Sequence, residues 1–106
     1  MHVIWYDNRD GNNEIYYKHS LDNGLNWEPS IRLTNNSANS EWPGIAVSGS
    51  VVHAIWDDER DGNSEIYYKR STDGGSTWGP DTRLTNDASS SFHPTISVSG
   101  SDVHVT

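Results

Sequence analysis

Residues 2–5 read His-Val-Ile-Trp, and residues 53–56 repeat them as His-Ala-Ile-Trp. The same stretch begins a third time at His104. Laid over each other at this 51-residue spacing, the two copies agree at 30 of 51 positions. A period near ~50 residues built from strand-like segments is typical of architectures in which each unit buries its apolar faces against its neighbours. We therefore divide the chain into a first repeat, residues 1–52, and a second repeat, residues 53–106, which ends with the start of a third.

The composition limits the partners that this chain can bind. Its 15 acidic and 7 basic residues give a formal net charge of −8, which repels phosphate backbones and anionic lipid surfaces. We therefore predict no nucleic acid and no membrane as partners. The absence of cysteine excludes disulfides and thiolate metal sites. Met1 leads into a strand pattern without a signal segment, so the chain is either cytosolic as written or has lost an export signal.

Short β-branched and aromatic runs predict four antiparallel strands for the second repeat, which we name A to D; strand A and the start of strand B lie in the last residues of the first repeat. They span residues 44–49, 51–57, 65–71 and 81–86. Ile66-Tyr67-Tyr68 puts apolar side chains on both faces, which predicts that the sheet packs between two others. Ser-Gly-Ser at 48–50 and the Asp-Gly within 60–63 supply tight turns. No 3.6-residue apolar period predicts a helix, so we predict an all-β chain.

The connection between strands C and D contains the most specific motif, which reads SLDNGLNW at 20–27 and STDGGSTW at 71–78. We predict that its aspartates accept hydrogen bonds from their own turn and that its glycines adopt positive φ. Its tryptophans fold back as apolar plugs. The residues with these structural roles are Ser20, Asp22, Gly24 and Trp27 in the first repeat and Ser71, Asp73, Gly75, Thr77 and Trp78 in the second.

This motif resembles the Asp-box, Ser-x-Asp-x-Gly-x-Thr-Trp. With the Trp-x-Asp-x-Arg-Asp-Gly, Glu-Ile-Tyr-Tyr-Lys and Arg-Leu-Thr-Asn segments, it makes nearly the whole chain similar to the bacterial Asp-box repeats of sialidase-like β-propellers. The resemblance implies propeller blades of four antiparallel strands, ordered A to D from the centre to the rim. It also implies an extracellular or periplasmic location. The Asp-box turns would lie on one face of the ring and the B–C and D–A loops on the other.

Compared with that strand order, the chain is permuted. It opens at strand B, residues 2–7, and strand A of a further blade follows at 95–99. We expect residues 95–99 of a neighbouring copy to complete the first blade, since strand addition removes an exposed edge. Residues 104–106 duplicate residues 2–4, so one of these two ends should be displaced or disordered.

The resemblance also suggests the size of the assembly. Sialidase-type propellers have six blades, and three chains of two blades would supply them, so we favour a cyclic homotrimer. An eight-bladed tetramer, a monomeric truncation and an excerpt from a longer repeat protein are the alternatives. The favoured function is a self-assembling, non-catalytic scaffold whose partner is a copy of itself.

We predict no catalytic residues and no cofactor. Sialidases, by the resemblance, use an arginine triad, a tyrosine nucleophile with its glutamate and an aspartate acid/base, all from non-equivalent blades. Here every arginine except Arg70 recurs in both repeats, and no Arg-Ile-Pro signature occurs. We expect the recurring Glu14 and Glu65 to pair with Arg9 and Arg60 on the adjoining strands. A glycoside hydrolase remnant is therefore the second alternative.

The first alternative is a carbohydrate-binding, lectin-like module with a glycan as its partner. The two repeats diverge most at the B–C and D–A loops, where aromatic residues stand beside amides, arginines and carboxylates. Such mixtures are usual in sugar-binding surfaces, although the aromatic residues fit equally well as caps on the seam between blades. The candidate ligand residues are Arg9, Asp10, Trp42, Arg60, Asp61, Phe92 and His93.

A calcium loop is the remaining candidate. Asp57, Glu59 and Asp61 alternate before a glycine, as ligands do in such loops. The first repeat has Tyr6 and Asn8 at the corresponding positions, and no acid stands where the twelfth position should be. We therefore predict no metal site.

Overall fold

The computed structural model describes residues 1–9, 11–35, 38–60, 62, 64–84, 94–99 and 102–105. Within these ranges the chain forms strands and no helix, which confirms the all-β prediction. The strands are β1 His2–Asp7, β2 Glu14–His19, β3 Ile31–Arg32, β4 Ser40–Ser48, β5 Val51–Asp58, β6 Glu65–Ser71, β7 Thr82–Arg83, β8 Ile96–Ser99 and β9 Asp102–Val105. They form three antiparallel sheets: sheet 1 is β1-β2-β3, sheet 2 is β4-β5-β6-β7 and sheet 3 is β8-β9.

Sheet 2 contains the four strands predicted for the second repeat, in the predicted order. Its first strand begins earlier than expected, at Ser40, because the ladder continues past a register shift between Glu41 and Gly44. Such a bulge inserts unpaired residues without ending the strand. The fourth strand is shorter than predicted, Thr82–Arg83, and residues 85–86 of its predicted span lie outside the described residues.

The tight turn predicted at residues 48–50 is confirmed. Ser48 pairs directly with Val51 across a two-residue loop, and Gly49 has a φ of 61°, which favours glycine. The B–C hairpin is also present, but its glycine closes the turn instead of lying at its centre. Gly62 N–H donates to Glu59 O at 3.0 Å, as Gly11 N–H does to Asn8 O in the first repeat.

The main core lies between sheet 1 and sheet 2. Alternation along β5 turns Val52, Ala54 and Trp56 toward sheet 1, and all three are fully buried. β2 supplies Ile15 and Tyr17, the residue after β3 supplies Leu33, and β6 supplies Tyr67. The other side of sheet 2 contacts sheet 3 through β4 and β8. The prediction that sheet 2 packs between two others is therefore confirmed in part, since β4 contacts both sheet 1 and sheet 3.

Sheet 3 repeats the first hairpin of sheet 2. Val98 pairs with Val103 and Ser97 with His104, which are the pairs found 51 residues earlier between β4 and β5. The end of the chain therefore folds back as a short hairpin in the register of strands A and B. No helix long and apolar enough to cross a membrane occurs among the described residues.

Candidate functional site

The two motif segments, residues 20–27 and 71–78, fold into nearly identical turns, which we call the first and second serine–aspartate turns. In the second turn, Ser71 Oγ donates to Asp73 Oδ1 at 2.7 Å and accepts from Gly75 N–H at 2.9 Å. Thr77 N–H donates to the same carboxylate at 2.9 Å. Equivalent bonds occur in the first turn, and the positive φ predicted for both motif glycines is confirmed.

These hydrogen bonds commit both aspartates to structural roles. Bonds from Thr77 and Ser71 lower the pKa of Asp73 to about 2, and bonds from Asn26 and Ser20 lower the pKa of Asp22 to about 2. Both carboxylates are therefore charged at neutral pH and saturated by their own turn. They hold the turn and are not poised to move a proton, in line with the structural role predicted from the sequence.

The second serine–aspartate turn docks on Tyr17 of sheet 1. Tyr17 Oη donates to Gly74 O at 3.3 Å, and Trp78 meets the tyrosine ring edge-on at a centroid distance of 5.0 Å. A Cβ at Gly75 would overlap Tyr17 Oη, so only glycine fits. His2 Nδ1 lies 2.6 Å from the same hydroxyl. Trp78 therefore plugs the junction between the sheets, as predicted.

The first serine–aspartate turn lies at the outer end of the molecule. Trp27 is 37% exposed, so it fills the predicted role of a plug only in part. The ammonium of Lys18 lies 5.4 Å from its ring centroid. A Cβ added at Gly24 would lie 3.3 Å from Met1 Sδ, where the second turn has Tyr17. A flexible side chain thus covers the position that a tyrosine occupies at the internal junction.

Tyr68 is the counterpart of Tyr17 and points away from the internal junction. Its hydroxyl lies 2.6 Å from His53 Nδ1, repeating the His2–Tyr17 pair, and burial raises its pKa. Tyr68 is only half-buried, whereas Tyr17 is fully buried. It lines a surface groove of about 530 Å³ together with Arg70, Trp78 and Pro80. On sheet 1, the second serine–aspartate turn packs at the corresponding place beside Tyr17, whereas the groove beside Tyr68 is open.

We call the outward sides of the molecule the two end faces. The first end face belongs to sheet 1 and contains Val3, Trp5, Tyr16 and Lys18. The second belongs to sheet 2 and contains His53, Tyr68, Arg70 and Leu84.

Leu84 and Val3 on the end faces are more exposed than their counterparts at the internal junction. Leu84 is 44% exposed, whereas Leu33 is 2% exposed. Val3 is 37% exposed, and its counterpart Ala54 is fully buried. These two positions are therefore covered at the junction and open at the ends, whereas Tyr16 and His53 are buried on the end faces as well.

The two loop arginines predicted as ligand residues are engaged within their own hairpins. Arg60 binds Asp58 at 2.8 Å and Asp81 at 3.0 Å, and its guanidinium stacks 4.2 Å above the Tyr67 ring. Burial alone would raise the pKa of Asp58, but hydrogen bonds from Arg60 and Trp56 outweigh it and lower the pKa. Both arginine side chains are thus held as structural clamps.

Arg9 is held in the same way in the first repeat. It binds Asp7 at 2.8 Å and lies 4.3 Å above the Tyr16 ring. Its hydrogen bonds keep the pKa of Asp7 well below the usual range.

The expected pairing of Glu14 with Arg9, and of Glu65 with Arg60, is wrong. Both glutamates are fully buried and bind arginines of the outermost strands instead: Arg32 Nη2 lies 2.8 Å from Glu14 Oε2, and Arg83 Nη2 lies 3.0 Å from Glu65 Oε2. Thr34 Oγ1 donates to Glu14 Oε1 at 2.6 Å. Burial forces each carboxylate toward the donors of the next strand, which leaves the loop arginines to the nearer aspartates.

Trp42 differs from the other candidate ligand residues. It lies at the bulge of β4 with a φ of 54°, a conformation unfavourable for a bulky side chain, and 46% of it is exposed. Its ring contacts Tyr6 at a centroid distance of 5.5 Å. Four further candidates lie outside the described residues: Asp10, Asp61, Phe92 and His93. Of the predicted ligand set, the structure describes Arg9, Trp42 and Arg60, and each of them contacts a different partner within the chain.

Sequence reasoning missed the importance of the histidine–tyrosine pairs. His2 and Tyr17, like His53 and Tyr68, lie on neighbouring strands, and each pair recurs at the repeat spacing. That recurrence was a usable signal. What the sequence does not contain is whether a neighbouring turn docks on the tyrosine hydroxyl, as the second turn does on Tyr17.

Within the described residues, no group of three or more His, Asp or Glu side chains is arranged to hold a metal ion. No family model matches the chain, and no curated protein matches it significantly.

Proposed function

We propose that this chain is a self-associating, non-catalytic scaffold whose copies stack head to tail and close into a propeller-like ring. The observation that supports it most strongly is the pair of end faces. Each end face carries the residue types that bury one another at the internal junction. A second copy is therefore the partner whose shape and chemistry fit best.

The internal junction provides the template for this contact. Tyr17 docks on Gly74 and Gly75 of the second turn, so Tyr68 would dock on Asn23 and Gly24 of the first turn in another copy. That contact replaces the covering side chain of Met1 with a tyrosine ring. It also buries the half-exposed ring and the groove beside it, which is favourable because apolar area leaves water.

A polar contact of the internal junction would be repeated as well. Lys69 Nζ donates to Leu33 O at 2.6 Å and links the two sheets. In a stacked pair, Lys18 Nζ of one copy would donate a hydrogen bond to Leu84 O of the other. Arrangements that use two different faces are heterologous, and they close into rings when the rotation between copies is a simple fraction of a turn. By the resemblance to six-bladed propellers, three copies are favoured.

The test is the mass in solution, measured by size exclusion with multi-angle light scattering over a hundredfold range of concentration. We expect the 106-residue chain to assemble to a defined multiple of 11.8 kDa, with three copies favoured. Leu84→Asp should release monomers, because it places a charge in the proposed contact at a site already 44% exposed in the single chain.

Leu25→Asp is the matched control. Leu25 is 84% exposed, and its counterpart Ser76 is exposed at the internal junction too, so this position stays outside the contact. A chain that is monomeric at every concentration, or equal masses for both variants, would contradict the proposal.

Trp42 favours a second candidate function, the binding of glycans on the loop face. Strained, exposed aromatic residues occur at ligand sites, and an indole ring can pack on the apolar face of a sugar. A glycan array probed with the unmodified chain and with Trp42→Ala tests this candidate. Binding lost only in the variant supports it, and equal binding by both proteins excludes Trp42 from the site.

A further inference from the structure

The two B-type strands differ in their neighbours. β5 lies inside sheet 2, between β4 and β6, whereas its counterpart β1 lies at the edge of sheet 1. Edge strands offer unpaired backbone groups to any strand that can align with them. The strand that would fill this place by analogy is the counterpart of β4, which is β8.

In the single chain, β8 already pairs with β9. The register is the same as that between β4 and β5, since the pair Val98–Val103 corresponds to the pair Val47–Val52. The sequence of β9 also repeats the start of β1, since His104-Val105 corresponds to His2-Val3. β9 therefore occupies the position on β8 for which β1 of a second copy has the matching sequence.

We infer that β8 is the docking strand for β1 of a second copy and that β9 caps this strand in the single chain and leaves on assembly. The inference rests on the proposed self-association and specifies its pairing. The expected register places Val98 opposite Met1, Ser97 opposite His2 and Ile96 opposite Val3 of the incoming copy.

We expect β1 of a second copy to displace β9 from β8, because β1 is part of a larger sheet. β9 forms four residue pairs with β8 in a two-stranded sheet, and two strands pair less stably than a sheet of three or more. β1 comes with β2 and β3 already paired to it, so its docking builds a four-stranded sheet like sheet 2. β8 itself stays in place because it packs against β4.

Disulfide trapping can separate the two pairings, because the chain contains no cysteine. Ser99 pairs with Asp102 across a two-residue connection, so Val98 and Val103 form the next, non-hydrogen-bonded pair. Side chains approach most closely at such pairs, which suits a disulfide. Val98→Cys with Val103→Cys locks β9 onto β8 within one chain. Ile96→Cys with Val3→Cys can cross-link only the exchanged pairing between copies.

The measurement is the concentration of half-assembly by light scattering, together with denaturing gels run without reductant. We expect the oxidised Val98/Val103 variant to assemble at least tenfold more weakly than the same protein after reduction. The Ile96/Val3 variant should form covalent multimers. A chain shortened to residues 1–100 should assemble at least as tightly as the unmodified chain.

Two results would overturn the inference while leaving the proposed self-association intact. One is equal assembly of the locked and reduced Val98/Val103 protein, and the other is the absence of intermolecular cross-links in an assembled Ile96/Val3 protein. A chain that never assembles in any form would overturn both proposals, and the three results are distinct on the same gel and scattering trace.

Discussion

The two repeats hold nearly the same residues in different surroundings. Leu33 and Leu84 both follow an Arg at the outer edge of their sheets, yet one is buried in the core and the other is half open. Tyr17 and Tyr68 differ in the same way. The difference shows that the burial of these leucines and tyrosines is decided by the neighbouring repeat and not by the sequence of the repeat itself, as expected when units are stabilised mainly across their interfaces.

The tryptophans of the B-type strands give the largest expected difference between the repeats. Trp56 is fully buried and its Nε1 donates to Asp58 at 2.9 Å, so Trp56→Ala should cost about 3–5 kcal/mol of unfolding free energy. Trp5→Ala should cost less than about half of that, because Trp5 is only partly buried. Urea unfolding followed by circular dichroism, at concentrations where the chain is monomeric, measures both values. Equal losses would mean that the end face is as well covered as the junction.

The leucines after β3 and β7, which are smaller than the tryptophans, allow a second comparison of the two repeats. Leu33→Ala removes a side chain from the core and should cost about 3 kcal/mol. Leu84→Ala should cost below about 1 kcal/mol in the monomer, since its side chain is already partly in water. The same variant should weaken self-association. If Leu84→Ala changed folding and left the mass in solution unaltered, the proposed use of this face would be contradicted.

The motif glycines test the comparison at the turns. Gly75→Ala and Gly24→Ala both put a side chain at positive φ and share that cost of about 1 kcal/mol. Gly75→Ala should lose a further ~1–3 kcal/mol of unfolding free energy through overpacking, because the new methyl group meets the buried Tyr17 ring. At Gly24 the neighbour is the flexible end of Met1. Thermal unfolding of the two variants side by side gives the difference directly.

The acid sensitivity of the two turns should be alike, because their hydrogen bonds are internal to each turn. The pKa of Asp22 and of Asp73 is lowered from near 3.8 to about 2, so the unfolded chain binds more protons between these values. Stability supplied by these groups is complete above about pH 4 and is lost as the pH falls toward 2. Asp22→Asn and Asp73→Asn should each make the decline in unfolding free energy over this window shallower, and by similar amounts.

If the acid-induced decline in unfolding free energy differed clearly between the two Asn variants, one of the aspartates would depend on residues outside its own turn. The decline should not vanish in either variant, since the pKa of Asp7 and of Asp58 is lowered as well. Val47→Ala, at an exposed position of β4 outside both turns, is the control.

The strands and turns were predictable because they depend on local chemistry. β-branched and aromatic runs between glycines fixed β5 and β6 to within a residue, and the motif alone predicted the hydrogen bonds of Asp22 and Asp73. The repeat spacing also predicted the equivalence of the two sheets. These features need only neighbouring residues, which a sequence displays directly.

Features that depend on the third dimension were not predictable. Glu14 binds Arg32 instead of Arg9 because burial selects its partner, and spacing along the chain does not reveal burial. The bulge that sets Trp42 at positive φ depends on how β4 continues past Pro43. The groove beside Tyr68 follows from the stacking of sheets, and no single segment encodes it.

The hydrogen bond from Lys69 to Leu33 O links the two sheets and makes the Lys69 amine less available than that of Lys18. Lys69 is tied to Leu33 O and to Asp81 Oδ1 at 3.0 Å, whereas Lys18 lies over the rings of Trp5 and Trp27. An acylating reagent should therefore label Lys18 before Lys69. Because Lys18 would be hydrogen-bonded in the stacked arrangement as well, slower labelling of Lys18 at higher protein concentration would report the contact between two chains without any change to the sequence.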